Sequence, residues 1–203
     1  MKILAIGDRP DPGLWDYYNP QKVKDVDLII SCGDLKPEYL EYLVTMVNRP
    51  LLFVHGNHDG IYDTVPPEGC DSIEDRVVTC AGLRIAGLGG GPLYSGEKYQ
   101  YSEREMGKRV RKLRRKIRRA GGLDILVTHS PMYGCGDMDD VAHQGFAAFE
   151  SLLKEFRPQF HLYAHVHPEY GAAEFIAEDN FTKHVNCSVR RIVEADVPSA
   201  PAK

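Results

Sequence analysis

Residues 51–59 read Leu51-Leu52-Phe53-Val54-His55-Gly56-Asn57-His58-Asp59, a short apolar run that breaks at a glycine into an amide, an imidazole and a carboxylate. The apolar part has the length and composition of a strand and Gly56-Asn57 is a turn pair, so the polar trio falls where a strand gives way to a loop. The same construction recurs along the chain. Lys2 to Gly7 leads to Asp8, Leu28 to Gly33 leads to Asp34, Ile125 to Thr128 leads to His129, and His161 to Ala164 leads to His165 and His167. Five apolar runs thus deliver oxygen and imidazole groups at their carboxyl ends, which is how an open α/β sheet assembles a site.

Carboxylate, amide and imidazole donors without sulfur form a hard-to-intermediate ligand set suited to Mn, Fe or Zn. Taken singly, a Gly-Asp pair or a lone His such as His129 marks a turn or a structural residue. The ordered set carries the assignment. It resembles the calcineurin-like metallophosphoesterases, whose blocks run D-x-H, G-D, G-N-H-[DE], a single His after a strand, and G-H-x-H. Here they stand in that order as Asp8-Arg9-Pro10, Gly33-Asp34, Gly56-Asn57-His58-Asp59, His129 and Ala164-His165-Val166-His167, covering most of the chain. Pro10 occupies the place of the first block's histidine, and Ala164 that of a glycine.

The resemblance implies an α/β fold of two facing mixed β-sheets flanked by helices. It also implies two divalent metal ions, the first held by Asp8, Asp34 and His167, the second by Asp34, Asn57, His129 and His165. Asp34 would bridge them, since two cations about 3.5 to 4 Å apart need a shared anionic ligand. With Pro10 offering no ligand atom, the first position is one ligand short and expected to be the weaker, unless Asp11 or Asp16 supplies a carboxylate. His165 and His167, two residues apart, would share a face if their strand persists. His58 matches the family's non-ligand catalytic histidine, and Asp59 would orient it or the loop. The implied reaction is hydrolysis of a phosphate ester, diester or monoester, by a metal-bridging hydroxide. His143, between Asp137 and Gly145 in the segment after His129, is a candidate substrate contact. His55, His161 and His184 read as structural.

At 203 residues and 43% hydrophobic content the chain fits one domain with a sizeable core, expected over residues 1–197 with a frayed tail at 198–203. Its five cysteines are odd in number and form no C-x-x-C pair, so neither a disulfide framework nor a thiolate zinc site is suggested and a cytoplasmic setting is expected. No apolar run reaches membrane-spanning length, and the run before Asp8 is too short for a signal-peptide core.

Leu40, Leu43, Val44 and Val47 recur at helical spacing, as do Phe146, Phe149, Leu153 and Phe156, predicting surface helices with one face on a sheet. Arg76 to Thr79 and Leu83 to Leu88 flank Ala81-Gly82 and predict a hairpin, and Gly89-Gly90-Gly91-Pro92 reads as a plain loop. Short β-rich stretches are expected at 172–177, 183–187 and 191–197.

Between Arg104 and Arg119 lie ten of the twenty-five basic residues and one acid, Glu105, so this segment carries +9 and the remainder −13. Ser102 and Glu105 form a capping box, Met106, Val110, Leu113 and Ile117 a narrow apolar stripe, and Ala120-Gly121-Gly122 a stop. The cations are expected on a solvated outer face. Two alternatives to a small-molecule phosphoesterase follow: a nuclease using helix 104–119 to hold nucleic acid, or a non-catalytic scaffold on the same fold. Retention of His58, which serves chemistry and binds no metal in the family, speaks against the scaffold.

Overall fold

The structure, a computed structural model, describes residues 1–167, 176–179 and 181–198. Apolar runs become strands and the 3.6-period stripes become helices. In chain order these are β1 (Lys2–Gly7), β2 (Leu28–Ser31), α1 (Pro37–Val47), β3 (Leu51–Phe53), β4 (Asp71–Ser72), β5 (Val77–Cys80) and β6 (Leu83–Leu88). There follow β7 (Gly91–Pro92), β8 (Gln100–Tyr101), α2 (Glu103–Arg119), β9 (Ile125–Thr128), α3 (Glu150–Phe156) and β10 (Phe160–Tyr163). The last are β11 (Ile176–Glu178), β12 (Lys183–Asn186) and β13 (Val189–Glu194).

Two mixed sheets result. The first has the order β13-β1-β2-β3-β4, parallel except for β13, and the second the order β11-β12-β10-β9-β6-β5, with a parallel centre of β12, β10, β9 and β6. Period-two alternation sends Ile3, Ala5, Leu28, Ile30, Leu52 and Val54 inward against Ile85, Ile125, Val127, Leu162 and Val185 of the facing sheet. The alternate residues Leu4, Ile6 and Ile29 point outward and are covered by Leu40 and Leu43 of α1. On the far side Met106, Val110, Leu113 and Ile117 of α2, with Phe149, Leu152 and Leu153, cover Ala86, Leu88 and Leu126. Because both faces of each central strand are buried, these strands read as continuous apolar runs rather than as alternating ones. The fold is the expected pair of facing mixed sheets flanked by helices.

The hairpin at Ala81-Gly82 forms as β5 and β6. Three expectations need correction. The glycine run is not wholly a loop, because Gly91–Pro92 pairs with Gln100–Tyr101. Its glycines are there for close approach: a Cβ on Gly89 would lie 2.2 Å from the His55 carbonyl oxygen. Nor does the last site-bearing strand persist, since β10 ends at Tyr163 and His165 turns into the left-handed region at φ 71°. Strand alternation therefore does not place His165 and His167. Finally, Arg109 is not on the solvated face of α2; its side chain is 12% exposed, pairs with Glu74 and Asp75, and lies over the Tyr101 ring. Of the β stretch expected at 172–177, positions 172–175 lie outside the described residues, as do tail positions 199–203, and the remainder enters β11. Among the described residues no helix is long and apolar enough to cross a membrane.

Candidate metal centre

Parallel strands β1, β2, β3, β9 and β10 end at one edge of the sandwich, and the candidate residues follow them. Asp8 (φ 61°), Asp34 (φ 57°) and His165 (φ 71°) all hold the left-handed backbone, which costs a non-glycine residue about 1 kcal/mol or more and persists only where neighbours fix it. Here hydrogen bonds do so. Asp8 N–H donates to the Gly33 carbonyl at 3.0 Å, Asp34 N–H to Asp59 Oδ2 at 2.8 Å, and His165 N–H to the Asp8 carboxylate at 3.0 Å. The loops after β2 and β3 interlock through their glycines. A Cβ on Gly33 would fall 2.3 Å from the Gly56 nitrogen and one on Gly56 1.9 Å from Asp34 Oδ1, so only glycine lets the Gly-Asp and Gly-Asn turns lie this close.

The centre of the cluster is defined by its protons. His129 Nδ1 lies 2.8 Å from the Cys32 carbonyl oxygen, which can only accept, so Nδ1 carries a proton and in the neutral imidazole Nε2 presents a lone pair. His165 Nε2 likewise donates to the Ala142 carbonyl at 2.6 Å, leaving the Nδ1 lone pair. Those two lone pairs face each other at 3.1 Å. Asn57 donates through Nδ2 to the Tyr94 hydroxyl at 3.1 Å, so its Oδ1, 2.9 Å from His129 Nε2, is also an acceptor aimed inward. Asp34 Oδ2 completes the set at 3.2 Å from His129 Nε2. Four acceptors converging on one point with their donor atoms spent elsewhere fit a cation. Among the described residues Asp34, His129 and His165 form the group of titratable ligands whose donor atoms lie within 4.8 Å of one another.

The negative charge of Asp34 makes the same point attractive to a proton on His129, which a divalent ion bound there would displace. Burial disfavours a charged His129, yet the Asp34 carboxylate beside it lifts it to about 9. Burial, then the charge of His129, pushes His165 down to about 3. Asp34 itself, although burial works against its ionisation, is held well below the usual carboxylate range by His129 and the His58 N–H. Asp59 is raised to about 6, mainly by burial and then by Asp34, against the two backbone N–H groups it accepts.

Asp34, Asn57, His129 and His165 are thus brought together. Asp8 lies next to them, but its carboxylate accepts the His165 N–H and the Ser188 hydroxyl. His167 is partly buried at the end of the described segment and does not join the group around His129. Asp11 does not supply the missing ligand: it pairs with Lys22 at 3.2 Å and Arg190 at 2.9 Å, and Asp16 is exposed. His58 N–H donates to Asp34 Oδ1 at 2.8 Å while its imidazole, 60% exposed, stands 3.6 Å from Glu97. Asp59 orients the loop, holding the Asp34 and Gly56 N–H groups. His143 stacks at a tilt 5.5 Å from the His165 ring and is bound to Asp140 at 2.8 Å, at the rim of the site. Ser188, Tyr94 and Glu97 carried no motif; their roles arise from tertiary placement, Ser188 reaching Asp8 across 180 residues.

The sequence model of the calcineurin-like phosphoesterases matches residues 1–169, and the chain belongs to that family. Across 93% of this chain and 89% of the other, the fold matches the crystal structure of TT1561 from Thermus thermophilus at a TM-score of 0.65 and 16% identity. A Vps29 single mutant from Entamoeba histolytica aligns over 92% of this chain and 73% of its own at a TM-score of 0.43 and 14% identity. A 68-residue segment is 37% identical to UPF0046 protein T07D4.2 of Caenorhabditis elegans, covering 32% of this chain and only 16% of that protein's length.

Proposed function

We propose that the protein is a metal-dependent phosphoesterase that hydrolyses a phosphate ester, with Asp34, Asn57, His129 and His165 holding a divalent cation such as Mn. The observation that carries this is the convergence of four acceptor atoms whose own protons point elsewhere. A bound divalent ion would supply Lewis acidity, polarising the phosphoryl group and acidifying a water molecule. The chain's own residues do the rest. Cys32 and Ala142 carbonyls fix the tautomers of the two histidines, and Tyr94 fixes the Asn57 amide. His58, exposed beside the cluster and paired to Glu97, would stabilise the transferring group and give a proton to the leaving oxygen.

A second position, using Asp8, Asp34 and His167, is the weaker one, because Pro10 brings no ligand and Asp11 is committed to Lys22 and Arg190. That same deficit is what favours the second reading, a non-catalytic binder that keeps a single cation. Metal content of the purified protein, followed by turnover of an aryl phosphodiester and an aryl phosphomonoester with added Mn, separates the two. Turnover that follows Mn occupancy supports the enzyme. A fully loaded protein inert towards both esters leaves the binder.

A further inference from the structure

A cavity of about 550 Å³ opens beside the cluster, its lining including Asp8 and Asp34 together with Pro10, Trp15, Leu35 and Tyr39. We propose that this cavity is the leaving-group pocket and takes a flat aromatic ring, so that the substrates are aryl or nucleoside phosphate esters. The proposal rests on the phosphoesterase reading above. With the phosphoryl group at Asp34, the substituent on the ester oxygen has this cavity for a neighbour. Hydrolysis forms a P–O bond to water and breaks the ester P–O bond; the released oxygen takes a proton from His58, and the proton that water gives up restores His58.

The wall is built to hold an aromatic guest. Trp15 sits edge-on against Tyr39 at 5.4 Å and Tyr42 at 5.0 Å, so it does not have to be ordered on binding. The loop that carries it is fixed by Pro10 and Pro12 and by Asp11, which is only 7% exposed. Asp11 accepts the Gly13 N–H at 2.7 Å, pairs with Lys22 and Arg190, and gives its own N–H to the Tyr39 hydroxyl at 3.3 Å. A carboxylate buried among two cations is costly to desolvate, and its effect here is positional. Pro10 thereby acquires a positive role: at the place where the family has a metal ligand it contributes apolar surface to the pocket. Lys36 and Glu38, exposed at the start of α1, line the same cavity and offer polar partners to ring substituents.

Trp15 is the single tryptophan, so its emission reports occupation of the pocket. The full chain, loaded with Mn, would be titrated with phenylphosphonate, methylphosphonate and inorganic phosphate by fluorescence and, independently, by calorimetry, with bound Mn measured in the same samples. Phenylphosphonate should bind about tenfold more tightly than methylphosphonate and change Trp15 emission. In Trp15→Leu the calorimetric ratio should fall to within about twofold, circular dichroism confirming the fold; if that variant does not fold, the wild-type ratio and emission decide. Mn and phosphate binding with a phenyl-to-methyl ratio near one and a silent Trp15 would overturn the pocket and leave the phosphoesterase reading standing. Failure to bind Mn would remove both.

Discussion

Asp34 holds His129 with one carboxylate oxygen and the His58 N–H with the other, while its own N–H is held by Asp59. Replacing it by Asn removes the anion from a site of otherwise neutral donors, so Asp34→Asn should lose bound Mn and turnover together, measured by elemental analysis and an aryl phosphate assay. His58→Ala should keep the metal and lose turnover by about 10² to 10⁴-fold, the usual worth of a positioned acid–base group; near-normal kcat would remove His58 from the chemistry. Tyr94→Phe frees the Asn57 amide to rotate its nitrogen inward, and should weaken Mn binding by roughly 10 to 100-fold, as loss of a ligand's supporting hydrogen bond does. A titration showing unchanged affinity would mean that Asn57 is no ligand. Of these residues, Asp34, Asn57 and His58 were legible because each follows an apolar run and a glycine. Tyr94 was not, since nothing in local sequence says that an exposed tyrosine beyond a glycine run will fold back on Asn57.

Among the elements, α2 shows both sides of what sequence can tell. Its capping box and buried stripe form as its spacing predicts, because both depend on residues three and four apart on one helix. The fate of Arg109 depends on another element. It turns to Glu74, which also accepts the His55 and Gly89 N–H groups and so ties the segment before β5 to the site-bearing loop. Burial opposes ionisation of Glu74, but His55 and Arg109 outweigh it and bring the carboxyl from its ordinary 4.5 down to about 2. An acid whose pKa is lower folded than unfolded adds stability above the unfolded value, and that stability is lost as pH falls through the folded one. Thermal stability should therefore decline between pH about 4.5 and about 2, and Glu74→Gln should flatten that limb; an unchanged acid profile in the variant would assign the loss elsewhere. Arg114 and Arg118 pair with Glu155 of α3, whereas Arg111 and Arg115 are exposed. Charge reversal of Arg111 and Arg115 should leave turnover of a small aryl phosphate intact, and loss of nucleic-acid cleavage in that variant would bring the nuclease alternative forward.

At the scale of the whole molecule, the facing sheets bring five strand ends to one edge, and the site is a property of that convergence. The strands were readable because each is short, apolar and closed by a glycine or polar residue. Their pairing across the chain, and with it the contact of Ser188 with Asp8, came from the sheet order and carried no local signal. The same holds for His165: its spacing from His167 suggested a continuing strand, and the left-handed turn that aims it at His129 is set by the bond from its N–H to Asp8. A cation at this convergence is what the proposed chemistry requires. The most direct measurement is the divalent metal retained per chain after Mn loading and gel filtration, in the natural protein and in His129→Ala, with circular dichroism to show both folded. The natural chain should retain one tightly held ion, with any second ion weak and lost on the column, and His129→Ala should retain none. A natural chain that retains no metal, or a His129→Ala variant that retains as much as its parent, would contradict the account.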